Sequence, residues 1–260
     1  MIRKLLRKVF RRAAPSASAE PALIPVERHG IRREQVSPAA RKTCKVLQEN
    51  GHKAYVVGGA VRDLLIGHPP KDYDVATSAT PEEVRALFRR SRIIGRRFKI
   101  VHVMSGPETI EVSTFRASQD AESTETDEHG RVLRDNVYGS MAEDATRRDF
   151  TVNALYYDPQ SETIVDYHHG VADIQHKTLR MIGDPRTRYR EDPVRMLRAV
   201  RLGAKLGLSI DPDARHPIRD MAVLLENVPA ARLFDEMLKL LFSGYGVPCL
   251  KPLREEGLHH

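Results

Sequence analysis

The sequence predicts a mixed fold in two parts, an α/β or α+β half followed by a helical half. Three observations carry this. Short apolar runs alternate with helix signals from residue 37 to about residue 115, and helix signals dominate from about residue 142 onward. The 260 residues are 41% hydrophobic, enough for a sizeable core. No apolar run approaches the ~20 residues that span a bilayer.

The elements follow in order. Residues 1–12, MIRKLLRKVFRR, set Ile2, Leu5, Leu6, Val9 and Phe10 at helical spacing, with six Arg and Lys on the remaining surface. That is a basic amphipathic helix suited to an anionic membrane surface or to RNA. Residues 13–25 read as a flexible linker. Ser37-Pro38 supplies an N-cap and a first helical residue for a helix to about Asn50, closed by Gly51. Ala54–Val57 is a strand, and Gly58-Gly59 turns it into a helix through Leu65. Tyr73–Ala76 is the next strand. Thr80-Pro81-Glu82-Glu83 opens a helix with acid in its first turn. Ile93–Ile94, Lys99–Met104 and Thr109–Phe115 read as strands. Residues 117–140 are polar and without period, the pattern of a mobile loop. Helices follow near 142–155, 171–177, 184–206, 212–226 and 229–243, with short strands near 156–157, 164–166 and 179–182.

Charge is concentrated at one end. Residues 1–36 hold nine Arg and Lys against three Glu, while the whole chain carries +7, so the body is almost neutral. A uniformly basic globule is excluded, and any polyanion site must come from local clustering. Two cysteines, Cys44 and Cys249, cannot build a disulfide scaffold, and no His or Cys spacing suits a dedicated zinc site. That usage fits a reducing compartment.

Four clusters carry chemistry. In Asp72-Tyr73-Asp74, two carboxylates at i and i+2 share one face of a strand. Burying such a pair without a counter-charge costs several kcal/mol, roughly, for each ion. A hard divalent cation such as Mg²⁺ resolves it. Asp-x-Asp alone also occurs in exposed turns; Glu111 on a later strand is the candidate third carboxylate. In Val57-Gly58-Gly59-Ala60-Val61-Arg62, two glycines at a helix start let backbone N–H groups approach an anion, with Arg62 in the first turn. By itself a Gly-Gly turn is only a tight corner. In Arg147-Arg148-Asp149-Phe150-Thr151-Val152-Asn153, a helix would set Asp149 and Asn153 on one face, where Asn153 can bond a ribose or base. In Glu191-Asp192-Pro193-Val194-Arg195, Pro193 marks a helix start and Asp192 stands three residues before Arg195, where it could hold it. Arg195, Arg198 and Arg201 form a basic stripe, a pattern that is often just a solvated face.

In this order the clusters resemble the class II nucleotidyltransferases that extend RNA 3′ ends, the bacterial poly(A) polymerases and CCA-adding enzymes. The matching motifs are GGAVRDLL at 58–65, KDYDVATSATPEEV at 71–84, IEVSTFR at 110–116, RRDFTVNAL at 147–155 and EDPVRMLRAVR at 191–201. The resemblance covers residues 40–243. It implies an α+β fold: a β-polymerase-like nucleotidyltransferase head, a mixed sheet with helices, followed by an all-helical neck and body. The expected organisation is a basic segment and linker over 1–36, the head over 37–183, and the neck with the start of a truncated body over 184–260. IIGRRFKIVHV at 93–103 and NVPAARLFDE at 227–236 resemble the poly(A) polymerases more than the CCA-adding enzymes.

The resemblance also implies the roles. Asp72 and Asp74 would bind two Mg²⁺ ions, with Mn²⁺ as a substitute and Glu111 as third ligand. Gly58, Gly59 and Arg62 would hold the triphosphate of ATP. Arg148 and Asn153 would approach the nucleotide, and Asp149 is grouped with the catalytic carboxylates. Asp192 and Arg195 resemble the pair that reads the base edge, backed by Arg198 and Arg201. The expected partners are ATP and an RNA 3′ end, with a membrane or RNA contact through residues 1–12 and no DNA. The expected setting is the cytoplasm, at the inner face of the membrane if that contact is made. The expected reaction is template-independent addition of AMP to RNA. The alternatives are CCA addition to tRNA and a non-catalytic RNA-binding module, which the intact Asp72/Asp74 pair disfavours.

Overall fold

The computed structural model describes residues 20–95, 98–117, 138–242 and 244–258. The amphipathic segment 1–12, most of the polar run 117–140, and Arg96-Arg97 lie outside the described residues.

The described residues form ten strands: β1 Ala22–Ile24, β2 Ala54–Val57, β3 Asp74–Thr77, β4 Ser91–Ile94, β5 Ile100–Ser105, β6 Glu108–Thr114, β7 Leu155–Asp158, β8 Thr163–Asp166, β9 Thr178–Leu179 and β10 Ser209–Ile210. The first eight form one sheet in the order β1-β8-β7-β2-β3-β6-β5-β4. Only β3 and β6 run parallel within it; the other pairs are antiparallel.

Helices α1 Val26–His29, α2 Pro38–Glu49, α3 Gly59–Ile66 and α4 Pro81–Leu87 accompany the first strands. Ser37 Oγ accepts the Ala40 amide and Pro38 occupies the first helical position, as the sequence predicts for α2. Thr80 and Glu83 form a reciprocal capping box on α4. One sheet face takes Val101, Val103, Ile110 and Val112 into a core with Ala40, Cys44 and Leu47 of α2 and Val84 of α4. Each large aliphatic side chain fully buried there contributes about 1.5–3 kcal/mol.

The linker expectation for residues 13–25 needs correction at its end, and with it a head that starts at residue 37. Ala22, Leu23 and Ile24 pair with Asp166, Val165 and Ile164 as an edge strand. Ile24, Ile31 and Val36 are buried in the same core. Pro21 and Pro25 bracket three residues too short to show strand periodicity.

The second half is helical: α5 Met141–Arg147, α6 Gly170–Gln175, α7 Pro185–Glu191, α8 Val194–Leu206, α9 Pro212–Met221, α10 Ala230–Leu241 and α11 Gly246–Glu255. Its core gathers Met196, Leu197 and Val200 of α8, Ile218 of α9, Leu240 of α10, and Cys249 and Leu253 of α11. Two expected helices are shorter than the spacing suggests. That over 142–155 stops at Arg147, where the chain extends through Arg148 before a 3-10 turn at Thr151–Asn153. That over 184–206 is broken at Asp192-Pro193, since proline disfavours helical geometry in the residue before it. Among the described residues, no helix is long and apolar enough to cross a membrane.

Candidate active site

A cleft of about 410 Å³ opens where the sheet meets α8. It is lined by Gly58, Gly59 and Arg62 from the β2–α3 turn, Asp74 from β3, Arg148, Asp149 and Asn153 from the segment after α5, Asp192 from the break between α7 and α8, and Arg195, Arg198 and Arg201 from α8. Clusters far apart in sequence thus converge on one cavity of ligand size. Lys205 also lines it, and the sequence reading missed it. The signal was present, since Lys205 stands one helical turn beyond Arg201.

The glycine turn is built for close approach. Gly58 has φ 70° and ψ −129°, in the left-handed half of the map. A Cβ there would sit 3.4 Å from Nη1 of Arg148, at the mouth of the cleft. Behind the turn Arg62 is buried. Its Nε and Nη2 donate to Asp63 Oδ1 at 2.9 and 2.7 Å, and its Nη1 donates to Asn153 Oδ1 at 2.6 Å. Asn153 Nδ2 donates to Asp149 Oδ1 at 3.1 Å. Asn153 is therefore an internal bridge, with each end of its amide holding one protein partner while it lines the cleft. Asp149 and Asn153 meet across the 3-10 turn, not along a helix.

Asp149 anchors the opposite wall. Its Oδ2 lies 2.5 Å from Nη2 of Arg198. Burial works against its charge, but Arg198, Asn153, the Phe150 amide and Arg195 outweigh it and hold its pKa below the ordinary carboxylate value. Arg148 donates to Asp144 at 3.1–3.2 Å and to the Tyr156 hydroxyl at 3.1 Å.

The pair expected to read the base is wired differently from expectation. Asp192 does not hold the Arg195 side chain. Arg195 Nη1 donates to Glu191 Oε2 at 2.9 Å and to the Arg188 carbonyl at 2.7 Å. Asp192 Oδ2 instead accepts from Arg232 of α10 at 2.6 Å. The break at Pro193 causes this: Asp192 is extended, with φ −151° and ψ 93°, so helical i, i+3 geometry does not apply across it. Arg201 pairs with buried Glu236 of α10 at 2.7–2.8 Å.

The carboxylates stand otherwise. Asp74 and Glu111 are register partners on parallel strands and so share a face. Asp72 precedes the strand, and both aspartates are solvent-accessible. The protein mass around the cleft mouth, with Glu111 and Asp72, pushes the Asp74 pKa up to about 6 against the pull of Arg148. Asp72 and Glu111 lie outside the cleft lining, and Glu111 Oε1 is 3.4 Å from His102 Nε2. Among the described residues no three His, Cys, Asp or Glu groups are drawn close enough to hold a metal ion. The donor set still fits one: oxygen ligands only, with the like charges of Glu111 and Asp72 beside Asp74.

A mixed sheet bearing adjacent carboxylates, a glycine turn at a helix start and a basic helix across the cleft define a nucleotidyltransferase head joined to a helical neck. The comparisons agree. Residues 54–180 match the model of the poly A polymerase head domain, and residues 207–260 match that of the probable RNA and SrmB-binding site of polymerase A. The chain is 51% identical to poly(A) polymerase I of Salmonella typhi, over 96% of its own length and 56% of the relative's. It is 39% identical to the CCA-adding enzyme of Geobacillus stearothermophilus, over 82% of this chain and 51% of that one. The crystal structure of the Bacillus stearothermophilus CCA-adding enzyme in complex with CTP superposes with a TM-score of 0.73 at 36% identity, covering 86% of this chain and 53% of that one. The chain belongs to the poly(A) polymerase family of nucleotidyltransferases. It spans about half the length of the curated relatives it matches.

Proposed function

We propose that this chain adds AMP from ATP to RNA 3′ ends without a template, releasing pyrophosphate. One observation carries the proposal: a single cleft collects the glycine turn, a carboxylate and the basic stripe of α8. Six cationic side chains against three acidic ones line it, the balance a triphosphate requires. The preference for adenylation over CCA addition is supported by 51% identity to a poly(A) polymerase against 39% to a CCA-adding enzyme.

The reaction asks little covalent work of the protein and much positioning. The RNA 3′ oxygen forms a bond to the α-phosphorus, the bond from that phosphorus to the bridging oxygen breaks, and pyrophosphate leaves. The hydroxyl proton passes to the carboxylate row and on to water. Amides of the Gly58-Gly59 turn, Arg62 and Lys205 receive the phosphates. Asp149 with Arg198 fixes the nucleotide wall. Asp192 and Arg195 present an acceptor and a donor fork to the base, which can select adenine without a template strand. Asp72, Asp74 and Glu111 would hold divalent ions, which supply charge neutralisation at the reacting phosphate. The same family membership supports RNA and ATP as partners; the six Arg and Lys of residues 1–12 are the charge we assign to an anionic surface in the cytoplasm.

The test is incorporation of single nucleotides on an RNA primer with Mg²⁺. Long A-tracts from ATP support the proposal. CTP incorporation ended by one A favours tRNA CCA addition, and RNA binding without incorporation favours a binding module.

A further inference from the structure

Among the described residues, the sheet face that holds Asp74 is covered on one side of the cleft and exposed on the other. Over β2, β7 and β8 it is closed by Val57, Phe115, Ala145, Tyr156 and Val165. Over the middle of β6, β5 and β4 the described residues add no further buried apolar cover on this face. Register carries one row of side chains outward from the cleft: Asp74 faces Glu111, Glu111 faces His102, and His102 faces Arg92 on the edge strand β4. Glu111 and Arg92 are exposed, and His102 is partly so. Beside this row runs a second, in which Ile94 pairs with Ile100, and Ile94 is 37% exposed. The opposite face of the same strands is buried in the core, so the exposure is confined to the cleft side.

We infer that the last nucleotides of the RNA lie on this open face of β6, β5 and β4, with Arg92 and His102 contacting the backbone and Ile94 and Ile100 packing against sugar or base. The inference rests on the polymerase function proposed above, and the direction of attack carries it. Attacking and leaving oxygens stand roughly in line about the phosphorus. In the function proposed above, the glycine turn, Arg62 and Lys205, which line the cleft on the α3 and α8 side of Asp74, receive the leaving pyrophosphate. The attacking hydroxyl must then arrive from the other side, past Glu111, which is the open face. The occupant is a polyanion, and the row changes from carboxylates at the cleft to a histidine and an arginine at the rim. That gradient leads a strand toward the reacting carboxylates without crowding its phosphates against them.

An RNA primer with a photoreactive base near its 3′ end, bound to the whole chain, tests this. Crosslinks to β4 or β5 are expected. In parallel, Arg92→Glu should raise the KM for RNA about tenfold, lower the salt slope of RNA binding by about one phosphate contact, and leave the KM for ATP within about twofold. Arg92 is exposed on an edge strand, so its variant should keep the melting temperature. Crosslinks confined to the neck helices, or an unchanged RNA KM in Arg92→Glu while the unaltered chain adenylates normally, would overturn the inference and leave the polymerase function standing. Crosslinks to β4 or β5 in a chain that incorporates no nucleotide would do the reverse.

Discussion

The two walls of the cleft are charged in opposite ways, and they treat their charges differently. On the basic wall each arginine of α8 is neutralised in place: Arg195 by Glu191, Arg198 by Asp149 and Arg201 by Glu236. On the acidic wall Asp74 lies beside Glu111 and Asp72, and its pKa is raised first by the loss of water around it and then by these like charges, against the pull of Arg148. A fully paired wall is architecture that holds its shape before any ligand arrives. A like-charged wall is a site whose counter-charge comes from outside, at a standing cost in stability.

The sharpest way to break this contrast is to remove one charge from each wall. Asp74→Asn should lower incorporation at least about a hundredfold, which is roughly 2.7 kcal/mol of barrier. It should also raise the melting temperature above pH 6 in chelator-treated buffer. The sign follows from linkage: the folded carboxyl, at about 6, holds its proton to higher pH than the unfolded value of 3.8, so this group's effect is to lower stability as pH rises through that window. A paired residue would behave oppositely. A lower melting temperature in Asp74→Asn, or incorporation within about tenfold of the unaltered chain, would remove the distinction between the walls.

On the paired wall, Arg198→Ala strands the buried Asp149 carboxylate. Because the Arg198 side chain is 37% exposed, the expected loss is about 2 kcal/mol, below that of a wholly buried pair. Urea denaturation reads it directly. An unchanged midpoint would mean that the pair is dispensable architecture.

Lys205 is the exception on the basic wall. Burial lowers its pKa, and its electrostatic neighbours are Asp63 against Arg62, Arg201 and Lys71. It is an under-neutralised cation beside the glycine turn. Lys205→Met should raise the KM for ATP about tenfold with little change in stability, the loss of one phosphate contact. Equal KM values would return Lys205 to the solvated face.

The strands were legible where their apolar residues were, as Ala54–Val57 was to the residue. Many of the residues that line the cleft were legible too, because glycines, an aspartate and spaced arginines are local signals, whereas Asp72 and Glu111 stand outside the lining and Lys205 gave no cluster of its own. What escaped is pairing set by the tertiary fold. The wiring of Asp192 to Arg232 joins residues 40 positions apart, and the burial of Glu236 against Arg201 spans 35. β1 escaped because three residues between prolines owe their strand state to the partner edge.

That misread wiring yields the smallest and most discriminating prediction. If Asp192 and Arg195 select the base, they do so from separate supports, α10 for one and Glu191 for the other. Arg195→Ala should cost ATP incorporation more than CTP incorporation, since the lost contacts go to the base edge. Arg232→Ala touches neither nucleotide nor metal ligands, yet frees Asp192 to swing. Its partner contact is half exposed, so the expected loss of ATP-over-CTP preference is at most about fivefold, near 1 kcal/mol. The loss should appear in the ratio of the two nucleotides, with total RNA binding unchanged. Equal falls for both nucleotides in Arg195→Ala, together with no change in Arg232→Ala, would make Glu191, Asp192 and Arg195 a brace between head and neck. The basic wall would then be architecture throughout, and base choice would have to reside elsewhere in the cleft.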